Sequence, residues 1–534
     1  MPENRLAAID IGTNSIRCIV VEIDKKQGFR VLDDEKAMVR LGEGLSETGR
    51  ISPAAWERAR EALLRMRMIT DGLGASFIEA VATSAVRKAG NGQDFVAAMK
   101  EETGVSIRVI DGEEEAELAA LSARHHFDMK NARFGLLDIG GGSIEIVTAT
   151  GIHIEEIFSL ELGAVFLTEN FLDKDPISGK QMASLRKHLR KTLRKELAGH
   201  DFALQYLIGS GGTITNIGNM IMARRKEQYD SVHGYEVLHS EVVHLLAMLE
   251  RKSCKERRGI PGLSPDRADI IVAGVAAVEA LMRFLGTNIL KINERGIREG
   301  LIIRSLMKYG LWAVGDELRE WRSSLRDFAR SCHVDEDHSE QVRKLSVEIF
   351  EALEPTFAMG PRSCQMLEAA ALLHDVGYFI SYSKHHKHSY HLIRHANLFD
   401  FNPREIEIIA NIARYHRKAL PKPKHENFCR LNTRDQGLVL KLGGILRLGR
   451  VDARQSGQDG QPGGGARRAG GQCARGARRL RLCRCGSRQF SDGEPRERMV
   501  VAHDHRVVFW RTADVHDGGL GRVPVACFER LEAT

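Results

Sequence analysis

Two stretches decide the fold: LAAIDIGTNSIRCIVVEI at residues 6–23 and FGLLDIGGGSIEIVTAT at residues 134–150. Each opens with an apolar run of strand length that ends in an aspartate, Asp10 or Asp138. Each then turns through a short polar or glycine-rich segment and resumes as a second β-rich run. In the first copy a turn at residues 25–28 leads to a third run, FRVL; in the second the pattern continues through HIEEIFSL. Two such units, each with an aspartate at its first turn, predict a duplicated, two-lobed α/β fold.

The turns also predict a chemistry. Gly12, Thr13, Asn14 and Ser15 form the first, and Gly140, Gly141, Gly142 and Ser143 the second, with Glu145 starting the return strand. Glycines let backbone N–H groups approach phosphate oxygens, and hydroxyls add donors. An aspartate beside them can hold Mg²⁺, which neutralises phosphate charge. A third turn, Gly209-Ser210-Gly211-Gly212-Thr213, follows the strand-like YLI and precedes a helix from about Ile214. The N-terminus of that helix is a further phosphate cradle. One such turn alone is explained equally well by an ordinary hairpin; a pair in matching contexts is a much stronger signal.

Taken together, DIGTNSIR, DIGGGSIE and GSGGTITN resemble the exopolyphosphatase/guanosine-pentaphosphate phosphatase family of the actin/Hsp70/sugar-kinase superfamily. Further segments resemble it too: ATSAVR at residues 82–87, VIDGEEEA at 109–116 with Asp111 where serine is usual, and RGIREG at 295–300 with Ile297 for leucine. The resemblance implies a ribonuclease-H-like fold of the actin/Hsp70 ATPase type, with lobes at residues 1–125 and 126–309. It implies Glu115 as general base for the attacking water and Arg87 as a phosphate clamp. Asp138, Glu145 and Asp10 would hold Mg²⁺. Asn14, Ser15, Gly141, Gly142, Ser143, Gly211, Gly212 and Thr213 would contact phosphate. Read without the resemblance, the run EEEAE is the acidic first turn of a helix, a reading that fully covers Glu113 and Glu117. Adjacent carboxylates near a phosphate site also repel, which can raise one pKa and poise it as a base.

Beyond a linker at residues 310–315 the chain turns helical. HSEQVRKLSVEIFEAL has apolar residues at helical spacing, and MLEAAALLHDVGYFI carries His374-Asp375. Residues 316–449 resemble the HD-domain superfamily, which implies a metal held by His338, His374 and Asp375 with a later aspartate, Asp452. The alternative is a helical platform for polyphosphate binding or dimerisation. His416 is open between core and ligand, and the Lys/His-rich residues 384–391 between a polyanion channel and a solvated basic face.

Composition sets the outer limits. Hydrophobic content of 43% and charged content of 28% are those of a globular protein. No run approaches the ~20 apolar residues of a membrane helix, and the N-terminus enters a strand pattern with no signal peptide. Nine scattered cysteines fit a reducing cytoplasm. The net charge of +7 resides in the tail: residues 450–534 hold 16 Arg, no Lys and 10 acids, leaving 62 basic against 61 acidic before them. Nucleic acid is therefore not the expected partner of the body. After Arg450 the chain also lacks Ile, Asn and Tyr, as a reading-frame shift in a GC-rich gene would produce. The rival readings are an Arg/Gly-rich RNA-binding tail, or a metal site at Cys473, Cys483 and Cys485. Residues 457–471 should be disordered, having almost no apolar side chains to bury.

The expectation is a cytoplasmic, Mg²⁺-assisted hydrolase of inorganic polyphosphate or guanosine pentaphosphate, dimeric as the resemblance implies. The rival class is an ATP- or polyphosphate-binding regulator with little turnover.

Overall fold

The computed structural model describes residues 4–24, 28–129, 132–151, 153–310, 320–458, 481–483, 498–503 and 506–511. They divide into two units, Met1–Trp321 with Phe399–Pro403, and Arg322–Leu398 with Arg404–Thr534.

The first unit holds two sheets built to one plan. In the first, β1 (Arg5–Ile11), β2 (Ser15–Asp24), β3 (Gly28–Met38), β4 (Phe77–Ala82) and β5 (Ile107–Val109) lie in the order β3-β2-β1-β4-β5. Strands β1 to β3 form an antiparallel meander, and β4 and β5 add in parallel beside β1. The second sheet contains β6 (Arg133–Ile139), β7 (Ile144–Thr150), β8 (His153–Leu160), β9 (Tyr206–Ser210), β10 (Glu236–Leu238) and β11 (Ile289–Ile292). Its order, β10-β11-β9-β6-β7-β8, repeats the plan: β6 to β8 are the meander, and β9 and β11 the parallel additions. This is the duplicated two-lobed architecture predicted from the hairpins.

Central strands are buried on both faces, so their sequences are apolar throughout rather than alternating. Ala7, Ile9 and Ile11 of β1 join Ile16, Cys18 and Val20 in a core covered by helices Pro53–Gly72 and Gly92–Thr103. Leu6 and Ala8 face the other way, against Leu301, Ile302 and Leu306 of helix Ile297–Lys308.

That last contact interleaves the lobes. Helix Ile297–Lys308 follows β11 in sequence yet buries its apolar stripe on the first sheet. Helix Gly112–His126 follows β5 but packs Ala116, Ala119, Ala120 and Ala123 against Phe134, Leu136 and Val147 of the second sheet. A boundary at residue 125 thus divides the sequence, while the packing crosses it. The two helices meet at Gly300, where a Cβ would stand 1.9 Å from the carbonyl oxygen of Leu118.

In the second unit, helices Glu336–Phe357, Pro361–Leu373 and Thr433–Gln458 pack together, joined by His385–Arg394. Gly449 lies so close to Ser346 that a Cβ would approach its Oγ to 2.5 Å. Helix Thr433–Gln458 runs through residues 448–450, where the composition changes. The side chain of Asp452, the expected closing ligand, lies outside the described residues, as do Cys473 and Cys485. So does the segment expected to be disordered, beyond Gln458. Among the described residues of the tail, Arg481–Cys483, Arg498–His503 and Arg506–Arg511 pair as antiparallel strands. Among the described residues no helix is long and apolar enough to cross a membrane.

Gly300→Val should lower the denaturation midpoint by the equivalent of about 1–3 kcal/mol, because neither backbone can give way to the new side chain. Urea unfolding followed by circular dichroism measures this; an unchanged midpoint would mean that the two helices do not touch.

Candidate active site

The duplicated hairpins bring their tips together. Gly12 N–H donates to Ser15 O at 3.1 Å, and Gly140 N–H donates to Ser143 O at 3.1 Å, so the turns close alike. The tips touch: a Cβ on Gly141 would stand 2.8 Å from Thr13 Cβ, and one on Gly142 2.4 Å from Ser84 Oγ. Both turns line one open cleft.

Register then sets the charge. In β1–β2 Asp10 pairs with Arg17; at the matching position of β6–β7 Asp138 pairs with Glu145. One copy carries an acid opposite a base and the other an acid opposite an acid. Arg17, which the sequence reading passed over, lines the cleft and could have been found by aligning the two hairpins.

Glu115 is delivered by helix periodicity. Asp111 is the N-cap, accepting from Glu114 N–H at 2.8 Å, which explains how it stands in for a serine. At ~100° per residue only one face of the first turn points inward. Glu113 and Glu117 are exposed, Glu114 pairs with Arg108 and Arg304 at 2.6 and 2.5 Å, and Glu115 is buried and lines the cleft. Arg87 does not line the cleft. Its Nη1 donates to Ile110 O at 2.5 Å and reaches Glu115 Oε2 at 3.4 Å.

Electrostatics in the cleft are unbalanced in both signs. Burial, then Glu145, push the Glu115 carboxyl well above the usual carboxylate range, against the pull of Arg87. Burial and Asp138 raise Glu145, and burial and Asp10 raise Asp138 to about 7. Burial also raises Asp10, although Arg17 and Arg298 oppose it. Opposite them stand buried guanidiniums. Burial and Arg298 lower Arg17, and burial and Arg17 lower Arg267 to about 10. Burial disfavours the charge of Arg298 as well, but Glu299 and Asp34 outweigh it. Such a site gains from a cation near the carboxylates and an anion near the arginines.

Asp10 Oδ1 and Glu145 Oε2 are sealed from solvent without a hydrogen bond, and the donor set is all oxygen, which fits Mg²⁺. Among the described residues, groups of three ligand atoms within 4.8 Å lie only in the second unit. An ion in the cleft would therefore rest on one or two carboxylates and complete its shell from phosphate and water, as Mg²⁺ commonly does.

The third glycine turn lies at the same cleft. Gly211, at φ 95°, is held against Ile139 O and Asp138 Oδ1, and helix Gly212–Arg224 starts at the cleft. Thr213, expected to contact phosphate, turns its side chain away: a Cβ on Gly274 would stand 2.6 Å from Thr213 Cγ2. Thr215, about 200° further round the helix, lines the cleft instead. Arg267 lies over Gly212 from the short turn Pro265–Arg267. No local pattern marks it, because its place comes from packing alone.

In the second unit His338, His374 and Asp375 come together, with ligand atoms within 4.8 Å of one another. His385 and His416 join the same carboxylate, and His416 is buried there rather than in an apolar core.

The model of the Ppx/GppA phosphatase family matches residues 19–309, and that of the Ppx/GppA phosphatase domain III matches residues 321–462. Among solved structures, an exopolyphosphatase from Cytophaga hutchinsonii is 27% identical, with a TM-score of 0.54 over 57% of this chain and 98% of that one. A Ppx/GppA family member from Aquifex aeolicus is also 27% identical, with a TM-score of 0.50 over the same shares. An exopolyphosphatase-like protein is 25% identical, with a TM-score of 0.53 and again 57% and 98% coverage.

The raised Asp138 has a consequence for stability. Its carboxyl binds a proton more tightly folded than unfolded, so its contribution is full below about pH 4 and is lost as pH rises through about 7. In chelator, Asp138→Asn should therefore lose less stability than the parent between pH 5 and 8. Urea midpoints across that range measure the difference; parallel profiles would contradict the burial of this acid.

Proposed function

The chain belongs to the Ppx/GppA phosphatase family, and from that premise we propose that it is an exopolyphosphatase, releasing orthophosphate from the end of inorganic polyphosphate. The observation that carries this reading is a buried carboxylate base facing a glycine-lined cleft with buried arginines. Glu115 stands where the glycine turns converge, and Arg17, Arg267 and Arg298 line the same space. A polyanion compensates all three guanidiniums at once, and backbone N–H groups of the turns can take its terminal oxygens.

The chemistry follows from position. One or two of Asp138, Glu145 and Asp10 would hold Mg²⁺, which offsets phosphate charge when bound. Glu115 takes a proton from a water aligned with the terminal P–O bond; the water oxygen bonds to phosphorus, and the shortened chain leaves with the bond electrons. Burial, then the Glu145 charge, raise Glu115 above the ordinary carboxylate range, which makes it a stronger base than a solvated carboxylate. Arg87 Nη1, 3.4 Å from Oε2, is a positioning residue that keeps it aimed. Positioning and charge compensation supply most of the acceleration expected of such a site.

Guanosine pentaphosphate would meet the same base and cradle. Polyphosphate is favoured here because the similar Cytophaga hutchinsonii protein is described as an exopolyphosphatase. A homodimer in the cytoplasm remains part of this proposal.

The test is phosphate release from long-chain polyphosphate and guanosine pentaphosphate in parallel, with and without Mg²⁺. Release should require Mg²⁺ and be faster from polyphosphate. Glu115→Gln should lower kcat by roughly 10²–10⁴-fold while polyphosphate binding stays within a few-fold. Undiminished turnover in the variant would move the base elsewhere. Tight binding without release of phosphate from either substrate would make the protein a regulator.

A further inference from the structure

The loop after β3 is tied down on one side and reaches across on the other. Val39 N–H and Arg40 N–H both donate to Asn14 O, at 3.2 and 2.9 Å, and Gly42 N–H donates to Thr13 O at 2.9 Å. A Cβ on Gly42 would stand 2.3 Å from Thr13 Cγ2, so the loop lies directly against the first glycine turn. Arg40 sits there at φ 49°, in the left-handed region that a residue with a side chain enters at a cost. Such a conformation persists where its surroundings enforce it, and it is a pointer to function. From this position the Arg40 side chain crosses to the second lobe. Its Nη1 pairs with Asp269 Oδ2 at 2.8 Å, and its Nη2 donates to the Asp266 carbonyl at 3.1 Å. Lys36 Nζ, from near the end of β3, reaches Asp266 Oδ2 at 3.3 Å.

Those two acids flank Arg267 in sequence. Arg267 is buried, lines the cleft and lies over Gly212, where a Cβ would stand 2.1 Å from its Nη2. Burial and Arg17 lower its pKa, while Asp266 and Asp269 pull it back up, so both acids act on its charge. Among the described residues the ion pairs of those acids nevertheless go to Lys36 and Arg40, and none goes to Arg267. A buried guanidinium seeks a counter-charge, and carboxylates on its own turn compete with a bound anion for it. With Arg40 and Lys36 holding both acids, the Arg267 guanidinium is left to the cleft.

The bland alternative is a pair of surface ion pairs with no role. Arg40 and Asp269 are 40% and 36% exposed, so their pairing adds little to stability. What such a pair can still fix is geometry. A second alternative is a clasp between the lobes, in which the two partners matter equally. Arg40 is absent from the lining of the cleft, so its effect on a substrate passes through another group.

We propose that Arg40 is a positioning residue for polyanion binding: together with Lys36 it occupies Asp269 and Asp266, which keeps those acids from drawing Arg267 away from a bound phosphate. The role presupposes the polyphosphate site proposed above. It is asymmetric. Removing Arg40 frees an acid that competes with the ligand, whereas removing the acid frees nothing.

The test compares Arg40→Gln, Asp269→Asn and their double variant in the full chain, on long-chain polyphosphate with Mg²⁺. Arg40→Gln should raise KM about tenfold with kcat within about twofold, because binding common to ground and transition states is lost. Asp269→Asn alone should leave KM unchanged or lower, and combined with Arg40→Gln should return it to within about twofold of the parent. Arg65→Gln, which removes a cation paired with Glu35 beside Lys36, controls for lost charge and should leave KM unchanged. Urea midpoints of all variants should match the parent. An unchanged KM in folded Arg40→Gln would overturn the proposal. So would an equal rise in Asp269→Asn, the signature of a clasp, or in Arg65→Gln, the signature of net charge. Should Arg40→Gln fail to fold, Lys36→Gln and its reversal by Asp266→Asn give the same readout. If the parent releases no phosphate from polyphosphate, the proposed activity fails by itself. Calorimetric binding of tripolyphosphate and guanosine pentaphosphate to the same variants then decides the role of Arg40: weakening of about tenfold in Arg40→Gln alone supports it. Equal affinities, or no binding by the parent, overturn it.

Discussion

Three buried carboxyl groups, Glu115, Asp138 and Glu145, share one cleft with the half-buried Asp10. A buried carboxylate is tolerated only where protonation, a hydrogen bond or positive charge meets it. Here the first lobe meets it with Arg17 and Arg87, and helix Ile297–Lys308 brings Arg298. The balance is incomplete from within the chain, since Asp10 Oδ1 and Glu145 Oε2 stay unpaired. That deficit of positive charge beside the acids, and the surplus of it around Arg17 and Arg267, give the cleft its appetite for a cation and a polyanion together.

Duplication explains how such a site is built. Two meanders of one plan place equivalent turns tip to tip, with backbone donors on both sides of the cleft. Divergence at one register position, Arg17 in one copy and Glu145 in the other, gives the two lobes opposite charge at matching places in the cleft. Interleaved helices hold the copies in register. Because Gly112–His126 lies on the second sheet and Ile297–Lys308 on the first, Glu115 and Arg298 are anchored to both lobes. Close contact at Gly300 makes that coupling tight.

The helical unit gathers ionisable groups by a different route. His374 and Asp375 sit at the end of helix Pro361–Leu373, His385 at the start of the next helix, and His416 just beyond Pro403–Arg414. Helix ends leave carbonyls free of intrahelical partners, and Ala371 and Ala413 use theirs to fix His374 and His416, while the carbonyl of Tyr382, in the bend before the next helix, fixes His385. Arg404–Asp435 and Arg362–Glu405 ion pairs brace the same helices further out.

The sequence by itself determined what depends on near neighbours along the chain: the two aspartate-ended hairpins, their glycine turns, the helix that carries Glu115, and the helical character of residues 316–449. Each is a matter of backbone conformation and of strand or helix period, both local. It also marked Asp10, Asp138, Glu145 and Glu115 as the chemistry-bearing acids, through the motifs that contain them. Tertiary structure decided the rest. It buried Glu115 and left Glu113 and Glu117 exposed by turning one helix face inward, and put Thr215 in the lining of the cleft by the same period. It brought Arg267 over Gly212, aimed Arg87 at Glu115, and placed His385 and His416 around Asp375. Those placements join residues tens to hundreds of positions apart, and their energy resides in burial and charge, which exist only once the surrounding elements have packed.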